Sequence, residues 1–240
     1  VDAAWGGATL FSYEHKCLLK GIERADSVTI DAHKQMYVPM GAGMVLFKDP
    51  NDSNAVRHHA QYILRAGSKD LGATTLEGSR NGMAMMVYAS LHIFGRQGYE
   101  LLINQSIKKA KTFASMIQSH PNFELVTPPI LSLLTYRINP EDVQQKMKIQ
   151  PEIGDALNME LDSLTVNVQK QQREAGNSFV SRTRLTTEKY PEQAITVFRV
   201  VLANPLTTVT NLQKMLDEQL SIARNTEAWK KLCLKHKKAS

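Results

Sequence analysis

The chain has 240 residues, 42% of them hydrophobic, with 13 glycines and 9 prolines, which suits a globular protein of one large or two modest domains. No apolar run is long enough to cross a bilayer, no charged-then-apolar leader opens the chain, and the two cysteines, Cys17 and Cys233, fall in no metal or redox spacing; reduced thiols in a cytoplasmic protein are expected. The net charge is +6, but "TEAWKKLCLKHKKAS" at the end holds five lysines and one glutamate, so +4 lies there and +2 elsewhere. That pattern predicts a solvated basic tail rather than a basic, aromatic-interleaved nucleic-acid surface.

"VDAAWGG" enters a strand-like run at once, so a C-terminal part of something longer is expected. Residues 9–24 suit a helix or helical turn. "SVTID" at 27–31 and "GMVLF" at 43–47 are short apolar runs between polar or Gly/Pro residues, and both read as buried strands. Residues 49–79 are weakly periodic, a long excursion of the kind that is usually functional. Residues 81–96 are apolar and Met-rich, a buried helix. Residues 98–119 form an amphipathic helix, with Tyr99, Leu102, Ile103, Ile107, Ala110, Phe113, Ala114 and Ile117 on one stripe, ended by His120-Pro121.

Beyond 121 the texture changes. "FELVT" and "LSLLTYRI" read as strands around a Pro128-Pro129 turn. Residues 151–172 read as a helix, "SFVSRTRL" and "AITVFRVVL" as two strands, and residues 208–224 as an amphipathic helix. The boundary is placed near residue 121: an α/β piece over 1–121, bridged by the 98–119 helix, and an antiparallel sheet with covering helices over 122–240.

"TIDAHKQMYVPMGAG" sets a histidine and a lysine where a strand ends. Lys34 is either a solvated loop residue or a lysine held for chemistry. Strand ends of an α/β sheet gather at one edge, where ligands sit. A lysine there can bind pyridoxal phosphate covalently once its amine is free. That cofactor also needs a carboxylate on its pyridine nitrogen, and Asp2 and Asp31 are candidates. Its phosphate needs N–H donors, hydroxyls and a cation, types that His33 and "GSR" at Gly78-Ser79-Arg80 offer. No metal set is suggested.

"VDAAWGG", "ADSVTIDAHK", "VPMGAGMVLF", "GSRNG" and "FRVVLANP" together resemble the group II pyridoxal-phosphate-dependent amino-acid decarboxylases, across essentially the whole chain. "QREAGNSFVSRTRL" looks most like the glutamate/aspartate-type members. The resemblance implies part of the aspartate-aminotransferase-type (fold type I) large domain plus a C-terminal α+β small domain. It implies pyridoxal 5′-phosphate as cofactor and a homodimer with the active site at its interface. Lys34 then resembles the cofactor-bearing lysine, Asp2 the partner of the pyridine nitrogen, and Ala4 the small residue on a ring face. His33 resembles the neighbour on the phosphate side, with a satisfied loop histidine as the plain alternative.

Ser79 and Arg80 resemble the segment that reaches a phosphate across the dimer, or else are a helix N-cap and a surface arginine. Tyr62 aligns with the mobile-loop tyrosine that reprotonates the substrate carbon, or else packs at an interface. Arg199 resembles the arginine that pairs with a substrate carboxylate, or else is an edge-strand charge. The substrate implied is a small acidic amino acid, aspartate ahead of glutamate on overall resemblance. The family's N-terminal half, with its phosphate loop, is absent, so these residues alone are expected to bind the cofactor weakly or not at all. Another fold-type-I lyase, for example one acting on a phosphorylated amino alcohol, and a non-catalytic fragment are the competing readings.

Overall fold

The computed structural model describes residues 1–58, 67, 70–75, 77 and 79–237, with the side chains of Leu71 and of residues 234–237 left aside. It divides into two compact units, Val1–Asn104 and Gln105–Ser240. The division falls inside the long helix α1 (Met83–Ser119).

In the N-terminal unit, β1 (Ser27–Asp31) pairs antiparallel with β2 (Gly43–Phe47), with Asp31 opposite Gly43. Residues 1–4 lie parallel to β1 on its other side. Thr29 N–H donates to Val1 O at 3.0 Å, Ala3 N–H to Thr29 O at 3.0 Å, and Asp31 N–H to Ala4 O at 3.2 Å. Gly7 allows this approach: a Cβ there would stand 2.7 Å from Ile30 Cγ1. Residues 9–24 form helical turns, not one helix: 3₁₀ turns at Gly6–Phe11, Lys16–Leu19 and Ile22–Arg24. Long-range bonds interrupt them, because Ser12 Oγ donates to Asn104 Oδ1 at 2.6 Å and Tyr13 N–H to Glu100 Oε1 at 2.6 Å.

Two expectations of burial are corrected here. All of β2 except the half-buried Met44 is exposed, because a two-stranded sheet covers neither face of an apolar strand. The first part of α1 is likewise open, with Met85 at 70% and Ile93 at 77% exposure. The break between the two expected helices is real: Gly95, at φ 56° and ψ −175°, interrupts α1, a conformation that favours glycine. After the break, Tyr99 is sealed, stacked on Phe11 at 4.9 Å and donating its hydroxyl to Met36 O at 3.0 Å.

In the C-terminal unit a four-stranded antiparallel sheet runs in the order β3 (Phe123–Ile130), β4 (Leu133–Ile138), β6 (Tyr190–Val201), β5 (Ser181–Thr187). Its core joins Phe113 and Ile117 of α1, Tyr136, Phe198, Leu161 and Leu164 of α3 (Gly154–Ala175), and Leu216 and Leu220 of α4 (Val209–Arg224). Pro128 and Pro129 do not make the turn; β3 runs through both, and Leu131 turns the chain at φ 53°. Proline lacks the N–H a central strand needs, and β3 is an edge. A short helix α2 (Glu141–Ile149) precedes α3 and was not expected. The basic tail is also corrected. It folds as α5 (Glu227–Lys237), because Leu232 is fully buried in the core and Trp229 packs against it.

Candidate functional site

β1 delivers its last residue, Asp31, to a tight loop. Lys34 N–H closes the turn on Asp31 O at 3.1 Å, His33 N–H donates to Ala42 O at 3.2 Å, and Val38 N–H to Ala32 O at 3.2 Å. Ala32, Met36, Val38 and Ala42 are buried, so the loop is anchored by its own small and apolar side chains. Tyr37, at φ 57°, holds a left-handed conformation inside it, an uncommon one for a non-glycine residue. Burial pushes the Tyr37 hydroxyl pKa upward.

The side chains converge at this strand end. Lys34 Nζ lies 2.7 Å from Asp31 Oδ2, and His33 Nε2 lies 3.8 Å from the same oxygen. His33 Nδ1 is buried without a hydrogen-bond partner. Gly43 faces Asp31 across the ladder, where a Cβ would stand 3.3 Å from Asp31 Oδ1. On the adjoining stretch, exposed Asp2 bridges to Thr29, and its Oδ1 accepts the Ala4 N–H at 3.0 Å. Asp2, Ala4, His33 and Lys34 thus stand on neighbouring strand ends. Of the two candidate carboxylates, Asp31 is taken up by Lys34.

Other expected residues stand apart. Ser79 and Arg80 are exposed, and Arg80 Nε pairs with Glu77 Oε2 at 2.9 Å. Ser79 is not the N-cap of a helix, since α1 starts four residues later. Tyr62 and Gly78 lie outside the described residues. Arg199 is on β6 between Thr135 of β4 and Ser181 of β5. Its strand is central, so an edge-strand charge is ruled out. Its side chain is exposed, while Phe198 and Val200 point into the core. Among the described residues no carboxylate pairs with Arg199, and no cluster of three or more His, Cys, Asp and Glu suits a metal ion. No helix among them is long and apolar enough to cross a membrane.

Residues 1–139 match the model of the pyridoxal-dependent decarboxylase conserved domain. The chain belongs to that family. Aspartate 1-decarboxylase of Aliivibrio fischeri is 60% identical over 228 residues, which cover 95% of this chain and 42% of that protein. L-2,4-diaminobutyrate decarboxylase of Acinetobacter baumannii is 25% identical, over 93% of this chain and 41% of that protein. The chain therefore spans less than half the length of these relatives. Among solved structures, mouse CSAD in apo form superposes with a TM-score of 0.79 at 23% identity, over 94% of this chain and 46% of that one. Oryza sativa TDC with PLP and tryptamine superposes with a TM-score of 0.74 at 16% identity, over 93% and 44%. The mixed α/β fold of this family member is that of these fold-type-I structures.

One polar cluster escaped the reading of the sequence. Arg137, fully buried on β4, donates from Nε to Glu124 Oε2, from Nη1 to Asn158 Oδ1 and from Nη2 to the Tyr190 hydroxyl, each at 2.8 Å. Lys189 also bonds Glu124, and Asn139 donates to it at 2.8 Å. Burial raises the Glu124 carboxyl, but Arg137, Lys189 and Asn139 pull it down further, to about 2. The only signal in the sequence was an arginine in an apolar run, "LLTYRI", a setting Arg199 shares in "TVFRVV".

Proposed function

We propose that the chain carries the catalytic lysine of a pyridoxal 5′-phosphate-dependent α-decarboxylase of a small acidic L-amino acid, aspartate ahead of glutamate, working as a cytoplasmic homodimer. The observation that carries the reading is the strand end where Lys34, His33 and Asp31 converge beside Asp2. The residues there fit the cofactor. Lys34 would bear it covalently, and Asp2, with Asp31 already engaged, would face its pyridine nitrogen. Ala4 would lie against the ring, and the orphaned Nδ1 of His33 offers a polar contact on the phosphate side. Ser79 and Arg80 would reach the phosphate of the other subunit. In this reading the large domain is residues 1–121 and the small α+β domain residues 122–240.

The cofactor, when bound, takes up the electron pair left as the substrate's carboxylate departs as CO₂. The chain does the rest. Asp2 would hold a proton at the ring nitrogen of the bound group through its negative charge. Arg199, exposed and with no carboxylate partner among the described residues, receives the substrate α-carboxylate in its planar fork. Tyr62 supplies the proton to the α-carbon. Asp31 Oδ2, 2.7 Å from Lys34 Nζ, stabilises the lysine when its amine is protonated. The 60% identity to an aspartate 1-decarboxylase supports aspartate as the substrate.

Borohydride reduction of the full-length protein loaded with cofactor, followed by peptide mapping, tests the reading. The label is expected on Lys34, and CO₂ release is expected to be faster from aspartate than from glutamate, tyrosine or dihydroxyphenylalanine. A labelled peptide without Lys34 ends the reading. An aromatic preference removes only the acidic substrate.

A further inference from the structure

Lys34 is the shared corner of two successive turns. Its N–H closes the first on Asp31 O at 3.1 Å, and its carbonyl accepts the Tyr37 N–H of the second at 3.2 Å. The second turn ends on Tyr37 itself, at φ 57°. A residue with a side chain stays left-handed only where its surroundings impose it. Here the peptide unit between Met36 and Tyr37 is held at both ends. Its N–H is held by the Lys34 carbonyl, and its C=O accepts the Tyr99 hydroxyl at 3.0 Å. Turning that peptide unit over would carry Tyr37 out of the left-handed region, and it would break both bonds.

Tyr99 is a fixed point from which to hold the loop. It is fully buried, stacked on Phe11 at 4.9 Å and tilted against Phe94 at 5.4 Å. The helix around it is fastened to the residues after Phe11, since Glu100 accepts the Tyr13 N–H and Asn104 the Ser12 hydroxyl. The Tyr99 hydroxyl also lies 2.6 Å from Ser90 Oγ, on the far side of the Gly95 break. A phenol has one proton. That proton goes to Met36 O, so Ser90 is the donor to the Tyr99 oxygen, and such a chain strengthens the bond at its end. Ser90 alone would satisfy a hydroxyl buried for packing. The second bond is the one that reaches the lysine loop.

We infer that Tyr99 is a positioning residue for Lys34: its hydroxyl, backed by Ser90, holds the Met36–Tyr37 peptide unit and through it the backbone of Lys34 at the strand end. The inference rests on Lys34 being the lysine that bears the cofactor. A shift of about 1 Å in a reacting group can cost on the order of a hundredfold in rate. Phenylalanine at position 99 would keep the ring contacts, leave the Met36 carbonyl without this donor and free the peptide unit to turn.

Full-length Tyr99→Phe protein tests it, alone and combined with Tyr37→Gly. Glycine takes the left-handed conformation without strain, so beside it the hydroxyl has less to hold. The readouts are hydrogen exchange of the residue-37 amide in cofactor-free protein, retention of pyridoxal phosphate on dilution, and the visible circular dichroism of the saturated protein. Tyr99→Phe is expected to speed the exchange and weaken retention by roughly tenfold each, the usual size of a lost bond to a buried carbonyl, and to alter the dichroism band. In the Tyr37→Gly background the same change is expected to matter by about threefold or less, because the two positions are coupled. Parent-like retention and dichroism in Tyr99→Phe overturn the inference. So does a tenfold effect that persists beside Tyr37→Gly, which would mark lost packing and not a held turn. Should Tyr99→Phe fail to fold, Ser90→Ala removes only the donor behind the hydroxyl; about threefold effects are expected from it, and parent-like behaviour overturns the inference. Borohydride labelling of the parent is read beside these. A label away from Lys34 ends the functional reading and this role with it, whereas a label on Lys34 with parent-like Tyr99→Phe ends the positioning role alone.

Discussion

Arg137 and Arg199 stand on adjacent strands of one sheet, each inside an apolar run, and their surroundings are opposite. Thr135 pairs directly with Arg199 and is two residues before Arg137, so alternation sends both side chains to the same face. At one end of that face Arg137 is closed in by Glu124, Asn158 and Tyr190, with every nitrogen of its fork used. At the other end Arg199 is exposed and meets no carboxylate among the described residues. One cation is a fixed part of the fold, and the other is left available. The difference is set by the hairpin and α3, which cover one end of the face, and not by anything within "TYRI" or "VFRV".

The largest effect expected from this contrast is at the closed end. Arg137→Met removes the cation and leaves Glu124 buried, with Lys189, Asn139 and the Tyr190 hydroxyl as its remaining partners. Breaking a buried pair in this way costs about 3–5 kcal/mol. Urea unfolding of the C-terminal unit should show it as a lowered midpoint, while Arg199→Met should shift the midpoint by about 0.5 kcal/mol or less, as exposed substitutions do. Equal shifts for the two variants would erase the contrast.

Acid sharpens the same comparison. Glu124 is held at about 2 in the fold against an ordinary value of 4.5. Its folded-state value is the depressed one, so its contribution is full above about pH 4.5 and is lost as pH falls from there toward 2. The difference amounts to about 3 kcal/mol. Glu124→Gln should be less stable at neutral pH, because Arg137 loses its counter-charge, and its stability should fall less steeply between pH 4.5 and 2. Parallel pH curves for the two proteins would show that the carboxylate is not held down by Arg137.

Much of the fold was legible in the sequence because periodicity reports which face is buried. The stripe from Tyr99 to Ile117 is buried almost as expected, and the break near residue 97 is found at Gly95. Errors arose where distant neighbours decide. "GMVLF" is apolar enough for a buried strand, yet nothing among the described residues covers it. "TEAWKKLCLKHKK" is basic enough for a solvated tail, yet Trp229 and Leu232 draw it into the core as α5. The lysine loop was legible because Asp31, His33 and Lys34 lie within four residues of one another. The Arg137 network was not, because Glu124 comes from β3, Asn158 from α3 and Lys189 from the β5–β6 turn.

The smallest effect is at the open end, and it falls on function rather than stability. Arg199 is expected to hold an α-carboxylate through two parallel N–H···O bonds, a geometry that the planar guanidinium presents and an ammonium does not. Arg199→Lys retains the positive charge and the exposed position, so folding and cofactor occupancy should be unchanged. What is lost is one arm of the fork and the orientation it imposes on the carboxylate. A charge-assisted bond is worth about 1.5–3 kcal/mol, which corresponds to a loss of roughly tenfold to a hundredfold in kcat/KM. Since the carboxylate is the group that leaves, its misorientation should lower kcat as well as raise KM. Steady-state kinetics of the full-length enzyme with aspartate, alongside thermal melting and the cofactor's visible absorbance, separate these outcomes. A kcat/KM within a factor of two of the parent would leave Arg199 a solvated arginine on a central strand, and would move the search for the carboxylate's partner to the N-terminal unit.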